Sequence, residues 1–404
     1  MKILNLSNTA GKTSGGIGDV AQAMLKYQNK LDIDSNLWFP GDDGKKEEVV
    51  VLTGVSSNKI KAIKTIGSHH LGITPSLIAK RSYAIKNFDI IHQHGAFLPI
   101  SLFSKSISKK IKVVISPHGL FEPERLVIQS RKKEIARYLF ENSNFKNSAC
   151  LIACSKQEAL NLEALNFNVP IAILPNGIEE NFLIEKTTEE EKESFRIKNK
   201  IPKDKKILLF ISRIHPLKGL PLLLKVISKM KSEFEKNNWI LIIAGIDENN
   251  HENELKKIVK EYSLKELVKF VGPVFGRDKI LMYDIASTFI LPSLNENFGI
   301  VVIEALARGI PVISTKNTPW SDLEDFNCGW WIKRNETSLK QTLHNLLKLN
   351  PDKLLTMGKE GKELVKNKYL WKSIAKQSIN LYKWVLNDSK DVSNLGFQLF
   401  KNKK

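Results

Sequence analysis

Two glutamates, Glu296 and Glu304, open and close the run ENFGIVVIE, and two cations, Arg213 and Lys218, lie upstream in ISRIHPLKG. These side chains suit one kind of ligand. A guanidinium can fork two phosphate oxygens and an ammonium adds a compact point charge, so the cations fit a diphosphate. A carboxylate can accept hydrogen bonds from two hydroxyls, so the glutamates fit a ribose diol or a hexose. Taken singly, Arg213 and Lys218 could be surface cations in a lysine-rich chain. Their place after one apolar strand and before a helix argues against that.

The segment SLNENFGIVVIEALARGIPVIS supplies the backbone for this chemistry. A strand is expected to end near Pro292, with loop over Ser293–Phe298 and a helix from Gly299. The first N–H groups of that helix, at Gly299, Ile300 and Val301, have no acceptor within it, and with the dipole behind them they form an anion site. Glu296 stands in the loop ahead of the helix. Glu304 stands one turn past Ile300 in the otherwise apolar VVIEALA, where an ordinary solvated role is out of place.

Four further motifs sit at strand ends. Gly15 and Gly16, in SGGIGDV, fall between the first strand and first helix, where glycine lets a ligand approach the backbone closely. The spacing is not a full G-x-G-x-x-G and no acidic residue closes a second strand, so a dinucleotide site is disfavoured. His118, in SPHGLFEP, follows an apolar strand and could bond a sugar hydroxyl or steady developing charge, although a lone histidine is more often structural. His92 and His94 have similar placement, but no acidic partner stands nearby and no metal site is read there. Asn176–Gly177 reads as a turn with positive φ.

These positions require an α/β frame. Strands are expected at Lys2–Ser7, Ser35–Phe39, Ile90–Gln93, Val113–Ser116, Leu151–Ala153 and Ile171–Leu174, with helices at Asp19–Leu31, Ser76–Lys86 and Glu134–Asn142. Asp19 is read as an N-cap, Ser155 with Glu158 as a capping box, and Pro40–Ser57 as polar loop. The pattern restarts after a charged linker. Strands follow at Ile207–Ile211, Trp239–Ala244, Val268–Val271, Thr288–Leu291 and Val312–Ser314. Helices follow at Pro221–Phe234, Glu252–Tyr262, Arg277–Ala286 and Ile300–Arg308, and the end is helical over Glu336–Leu349, Asp352–Lys366 and Lys372–Leu386. Alternating strands and helices give parallel sheets covered on both faces. Four segments result: a Rossmann-like domain over 1–178, a linker over 179–206, a second such domain over 207–370, and a C-terminal helical stretch over 371–404. Ligands of such sheets bind at the strand C-termini, in a cleft between the two domains.

Composition narrows the class. A chain of 404 residues with 42% hydrophobic content can bury two cores. No apolar run approaches the roughly 20 residues of a membrane span, and MKILNLSN enters a strand at once, so no signal peptide is read. The odd count of Cys150, Cys154 and Cys328 without a metal pattern fits buried thiols in a reducing cytoplasm. The formal charge of +19 suits nucleic acid, an anionic membrane or mere compositional drift. No nucleic-acid-binding signature accompanies it, so nucleic acid is set aside. Part of the excess is local: residues 105–146 hold ten Lys/Arg (105, 109, 110, 112, 125, 131, 132, 133, 137, 146) against Glu122, Glu124, Glu134 and Glu141. Such a patch suits the inner face of an anionic membrane.

In their order along the chain, the GG loop, P-H-G, P-N-G-I, S-R…K-G and the glutamate pair of ENFGIVVIE resemble the retaining GT-B glycosyltransferases of glycosyltransferase family 4. The resemblance implies two facing Rossmann-like domains and transfer of a hexose from a UDP- or GDP-linked donor to a glycan or lipid-linked acceptor. It implies no metal and no resident cofactor. By position, Arg213 and Lys218 would bind the diphosphate, Glu304 the ribose, and Glu296 the hexose, with backbone at Phe298, Gly299 and Ile300. Gly15 and Gly16 would approach the diphosphate and His118 the transferred sugar. The last helix would cross back to the first domain. PHGLFEP with its basic sequel, and TPWSDLEDFNCGWWI, look like members that build surface polysaccharide or lipopolysaccharide. Two other classes share the features: a sugar-nucleotide 2-epimerase, and a non-catalytic binder of sugar nucleotide or nucleic acid.

Overall fold

The computed structural model describes residues 1–65, 74–97, 99–122, 130–388 and 395–400. It contains two compact units, Met1–Gly177 with Trp371–Lys404, and Ile178–Leu370. In the first, β1 (Lys2–Ser7), β2 (Asp34–Pro40), β3 (Ile60–Ile63), β4 (Ile90–His94), β5 (Lys112–Ser116), β6 (Cys150–Ala153) and β7 (Ile171–Ile173) form a parallel sheet in the order β7-β6-β5-β4-β1-β2-β3. Gln398–Leu399 adds an antiparallel strand beside β7.

Side chains alternate across this sheet, as strand geometry requires. Leu4, Leu6, Ile91, Val113 and Ile115 pack into one apolar layer, while Ile3, Ile90, Val114 and Ile152 pack into another. The helix Trp371–Leu386 belongs to the second layer through Trp371, Ile374, Leu381 and Tyr382, so the C-terminal helix is part of the first unit.

The second unit has its own parallel sheet. β8 (Lys206–Ile211), β9 (Trp239–Ala244), β10 (Val268–Gly272), β11 (Thr288–Leu291), β12 (Val312–Thr315) and β13 (Gly329–Ile332) lie in the order β10-β9-β8-β11-β12-β13. Chain order reverses between β8 and β11. Open α/β sheets take ligands at the carboxyl ends of the strands that flank such a reversal. In the first unit the reversal falls between β1 and β4.

Several expected elements differ. The stretch expected as loop over Pro40–Ser57 contains a helix, Asp43–Thr53, capped by Asp42, whose side chain accepts from Lys45 N–H, and closed by Gly54 at φ 68°. Only Val49 and Thr53 of that helix are buried, so its sequence carries little apolar stripe. The first helix begins at Gly15 rather than at Asp19, which lies inside its first turns. The helix expected over Ser76–Lys86 breaks at Lys80 into two. That expected over Pro221–Phe234 is also two, Leu220–Ser228 and Lys231–Lys236. That expected over Glu134–Asn142 runs from Ser130 to Lys146 through a π-helical turn at Arg137–Glu141. The charged segment 179–206 is packed into the second unit: Phe195 and Ile201 are buried, Arg277 binds Glu185 and Glu191, and Arg308 binds the carbonyls of Phe182 and Glu185. Arg125 and Glu124 of the basic stretch lie outside the described residues.

Candidate functional site

The loops after β8 and β11 are joined at backbone level. Leu294 N–H donates to Leu217 O at 2.8 Å. Gly219, at φ 78°, passes so close to Pro292 that a Cβ there would stand 2.0 Å from its carbonyl oxygen. Thr315 Oγ1 from β12 donates to Ser293 O at 2.7 Å and Arg334 Nε to Pro292 O at 3.3 Å. On this support Lys218 and Glu296 form a direct ion pair, with side chains 10% and 12% exposed. Ser293 Oγ donates to the same Glu296 oxygen at 3.2 Å. These two of the four residues singled out in the sequence are therefore brought together.

Arg213 is placed differently. It leaves the same strand, yet its Nη1 binds Glu248 at 2.7 and 2.8 Å, and about half of its side chain is exposed. Glu248 comes from the loop after β9, which Ile214 ties down: Ile214 N–H donates to Ile246 O at 2.8 Å and Glu248 N–H to Ile214 O at 3.1 Å. Glu248 has no distinctive motif. Its only sequence signal is an acidic residue soon after a buried strand.

Gly299 caps the helix Ile300–Ala307 at φ 81°, a left-handed position that favours glycine. Phe298 before it is buried, its ring 5.1 Å from that of Trp320 and 6.0 Å from that of Tyr369. Trp320 Nε1 donates to Phe298 O at 2.5 Å. That carbonyl thus holds one donor from within the fold. Val302 N–H already bonds Gly299 O, which leaves the N–H groups of Gly299, Ile300 and Val301 as the helix's first-turn donors.

Glu304, one turn on, is buried. Lys279 Nζ meets its Oε1 at 2.5 Å and the Tyr283 hydroxyl donates to its Oε2 at 2.9 Å. Neither partner stands out in the sequence; their one signal is i, i+4 spacing on the helix Gly276–Asp284. Burial first, then the charge of Glu304, pushes the Tyr283 phenol well above its ordinary value, so it remains a donor.

The first unit carries a second polar cluster, at the carboxyl ends of β1, β4 and β5. His118 stands at φ 54° and is followed by Gly119 at φ 75°. His118 Nε2 lies 3.2 Å from His94 Nδ1, and His94 Nε2 bonds Asn5 Oδ1 at 3.1 Å. His92 bonds the Tyr382 hydroxyl at 2.6 Å and Ser116 Oγ at 2.8 Å, so the C-terminal helix completes the network. Burial holds His118 down to about 4 and His92 to about 3, so all are neutral imidazoles at neutral pH. Gly15 and Gly16 begin the first helix, and a Cβ on either would meet nothing within 4 Å. Asn176–Gly177 is not a positive-φ turn. Gly177 is instead required by the Trp371 ring, 2.7 Å from where its Cβ would be.

Two Rossmann-like parallel-sheet units, the second with cations and carboxylates gathered at its switch point, constitute a GT-B fold. Residues 14–182 match the model of glycosyltransferase family 4 and residues 191–364 that of the glycosyl transferases group 1. The two matches follow one another along the chain, a family 4 segment and then a group 1 segment. The chain is 28% identical over 222 residues to an uncharacterized glycosyltransferase of Methanocaldococcus jannaschii, covering 54% of this chain and 55% of that one. It is 26% identical over 196 residues to human alpha-1,3/1,6-mannosyltransferase ALG2, covering 46% of each. The chain thus spans about half the length of these curated relatives. Among solved structures, Anabaena Alr3699/HepE in complex with UDP superposes with a TM-score of 0.73 at 18% identity, over 95% of this chain and 100% of that one. Among the described residues no helix is long and apolar enough to cross a membrane.

Proposed function

We propose that this protein is a retaining hexosyltransferase that moves a sugar from a UDP- or GDP-linked donor to a hydroxyl of a glycan or lipid-linked acceptor, in the synthesis of a surface polysaccharide or lipopolysaccharide. The observation that carries the reading is the Lys218–Glu296 pair, held at the mouth of the helix whose next turn carries Glu304. A cation and helix N–H groups for a diphosphate stand beside carboxylates for hydroxyls. The mannosyl transfer named for ALG2 and the UDP named for the Anabaena structure are in keeping with it.

In the proposed reaction the bond between the sugar's anomeric carbon and the diphosphate oxygen breaks. A bond to the acceptor oxygen forms on the face just vacated, and the acceptor's proton passes to the departing diphosphate. Lys218, Arg213 and the helix N–H groups stabilise the negative charge that grows on the leaving group. Glu296 holds the hexose and Glu304 the ribose. For Arg213 this requires exchanging Glu248 for phosphate. His94 Nε2 donates to Asn5 Oδ1, so the neutral His118 gives its Nε2–H to His94 Nδ1 and takes a hydroxyl of the transferred sugar as an acceptor, through Nδ1. No side chain is assigned as a nucleophile, and no resident cofactor or metal is part of the scheme.

The first unit, which would take the acceptor, fits an anionic membrane surface. Ile135, Tyr138 and Leu139 are exposed at 60%, 87% and 60%, beside Arg131, Lys133 and Arg137. Exposed apolar side chains interspersed with basic residues along one helical stretch suit a bilayer carrying acidic headgroups.

The test is a thermal-shift screen of UDP-, GDP- and ADP-sugars, followed by nucleoside diphosphate release with acceptor and NMR of the product's anomeric centre. One donor class stabilising the protein, acceptor-dependent release that persists in EDTA, and a retained anomer support the reading. Inversion, or a free epimer formed without acceptor, sinks it. Flotation with anionic but not neutral liposomes, lost at high salt, tests the membrane face.

A further inference from the structure

The inference deepens the reading of Glu304 and rests on it. A carboxylate on a helix can turn about its last torsion and offers about four acceptor sites. At Glu304 one site on each oxygen is already filled: Lys279 Nζ binds Oε1 at 2.5 Å and the Tyr283 hydroxyl binds Oε2 at 2.9 Å. Both donors project from one face of a single helix, so their spacing fixes the plane of the carboxylate between them. Tyr283 is fully buried, its ring 6.1 Å from that of Phe182 and 6.0 Å from that of Phe289. It has no room to swing away. The Lys279 side chain is 25% exposed, against 11% for Glu304.

What is left on Glu304 is one acceptor site per oxygen. Two acceptor sites side by side match two neighbouring hydroxyls of a cis-diol, each donating to its own oxygen. We propose that Lys279, with Tyr283, is a positioning residue that locks the Glu304 carboxylate in the orientation accepting both ribose hydroxyls of the donor. Lys279 thereby sets the preference for a ribonucleotide through Glu304.

This predicts which ligand feels the loss of Lys279. The probes are UDP and GDP, each with its 2′,3′-dideoxy counterpart, titrated calorimetrically into the full chain. Wild type binds the preferred ribonucleotide more tightly than its dideoxy form. Lys279→Met weakens the ribonucleotide on the order of tenfold, the worth of one charge-assisted hydrogen bond, and leaves the dideoxy form within about twofold. Lys279→Arg restores most of the preference. Tyr283→Phe, which keeps the ring packing, shifts it in the same direction, and Lys279→Met adds nothing on a Glu304→Gln background. In turnover, Lys279→Met raises the donor KM and spares kcat.

Equal weakening of the ribo and dideoxy ligands by Lys279→Met overturns the proposal, since a disturbed fold acts on both. A wild-type protein that binds both forms alike overturns the ribose role of Glu304 itself, and that is visible before any variant is made.

Discussion

The backbone N–H of Gly119 donates to Glu158 Oε1 at 2.6 Å, and the other oxygen of that carboxylate takes Cys154 N–H at 2.7 Å. Glu158 also sits under the N-cap Ser155, whose hydroxyl accepts from Glu158 N–H at 3.1 Å. Only half of a capping box is present: the glutamate reaches past its own helix to tie the turn after β5 to the end of β6. That turn holds His118 at φ 54°, a conformation that persists only where the surroundings impose it. Glu158→Ala removes the carboxylate that both N–H groups share. A stability loss of about 2–4 kcal/mol in urea denaturation is expected, with reduced transfer. Glu158→Gln recovers part of it, because its amide nitrogen would face the second N–H donor to donor.

The ion pair of Lys218 and Glu296 allows stability to be separated from function. Both side chains are largely buried, so removing one leaves the other's charge uncompensated. Lys218→Met and Glu296→Gln are each expected to lose stability, by up to about 3–5 kcal/mol, whereas the double variant regains much of it. Transfer should remain lost in all three, by roughly a hundredfold or more. Recovery of turnover together with stability in the double variant would mean the pair is structural only.

Arg213 makes the opposite case. Its bond to Glu248 lies at the surface, where such pairs contribute about 0–1 kcal/mol. Arg213→Ala should therefore unfold at nearly the wild-type urea concentration while binding nucleoside diphosphate on the order of tenfold more weakly. Glu248→Gln, which frees the guanidinium, should bind it at least as well as wild type. Equal affinity in Arg213→Ala and wild type removes Arg213 from the site.

What was legible in the sequence and what was not divides along physical lines. Continuous apolar runs such as KILLFI and WILIIA declare buried parallel strands, and the helix after Gly299 follows from a glycine, a loop and a restarted apolar stripe. Arg213, Lys218 and Glu296 are visible because charged types follow apolar strands there, and Glu304 because it interrupts an apolar helix. Their partners are not. Glu248 reaches Arg213 because β9 lies beside β8, and Lys279 reaches Glu304 because two helices pack, facts of topology that no local pattern carries. Gly177 failed as a local reading for the same reason. Its small size answers to Trp371, far along the chain.

The buried histidines of the first unit give a pH signature. Burial lowers His92 to about 3 and His118 to about 4, and His94 well below its ordinary value. Unfolded, each titrates near about 6.5. Between these values the unfolded chain binds more protons, so stability is full above about pH 6.5 and falls as the pH drops toward 4. Glu141 works the other way. Burial raises it to about 7, so from about 7 down to 4.5 the folded state keeps a proton that the unfolded chain lacks. Urea midpoints should be lower at pH 5.0 than at 7.5, and Glu141→Gln should deepen that drop. A shallower drop in Glu141→Gln would contradict the sign.

Two glycines separate packing from ligand approach. At Gly219 a methyl group would strike the Pro292 carbonyl and φ is 78°, so Gly219→Ala must part the loops that carry Lys218 and Glu296. It should lose both stability and transfer. At Gly16 φ is ordinary and a Cβ would meet nothing within 4 Å, so nothing within the fold demands glycine. Gly16→Ala places alanine in the first turn of a helix and should hold or raise stability by up to about 1 kcal/mol. If donor phosphate approaches the backbone there, the same substitution lowers transfer and raises donor KM. An alanine variant as active as wild type would show that the space above Gly16 is not used by the donor.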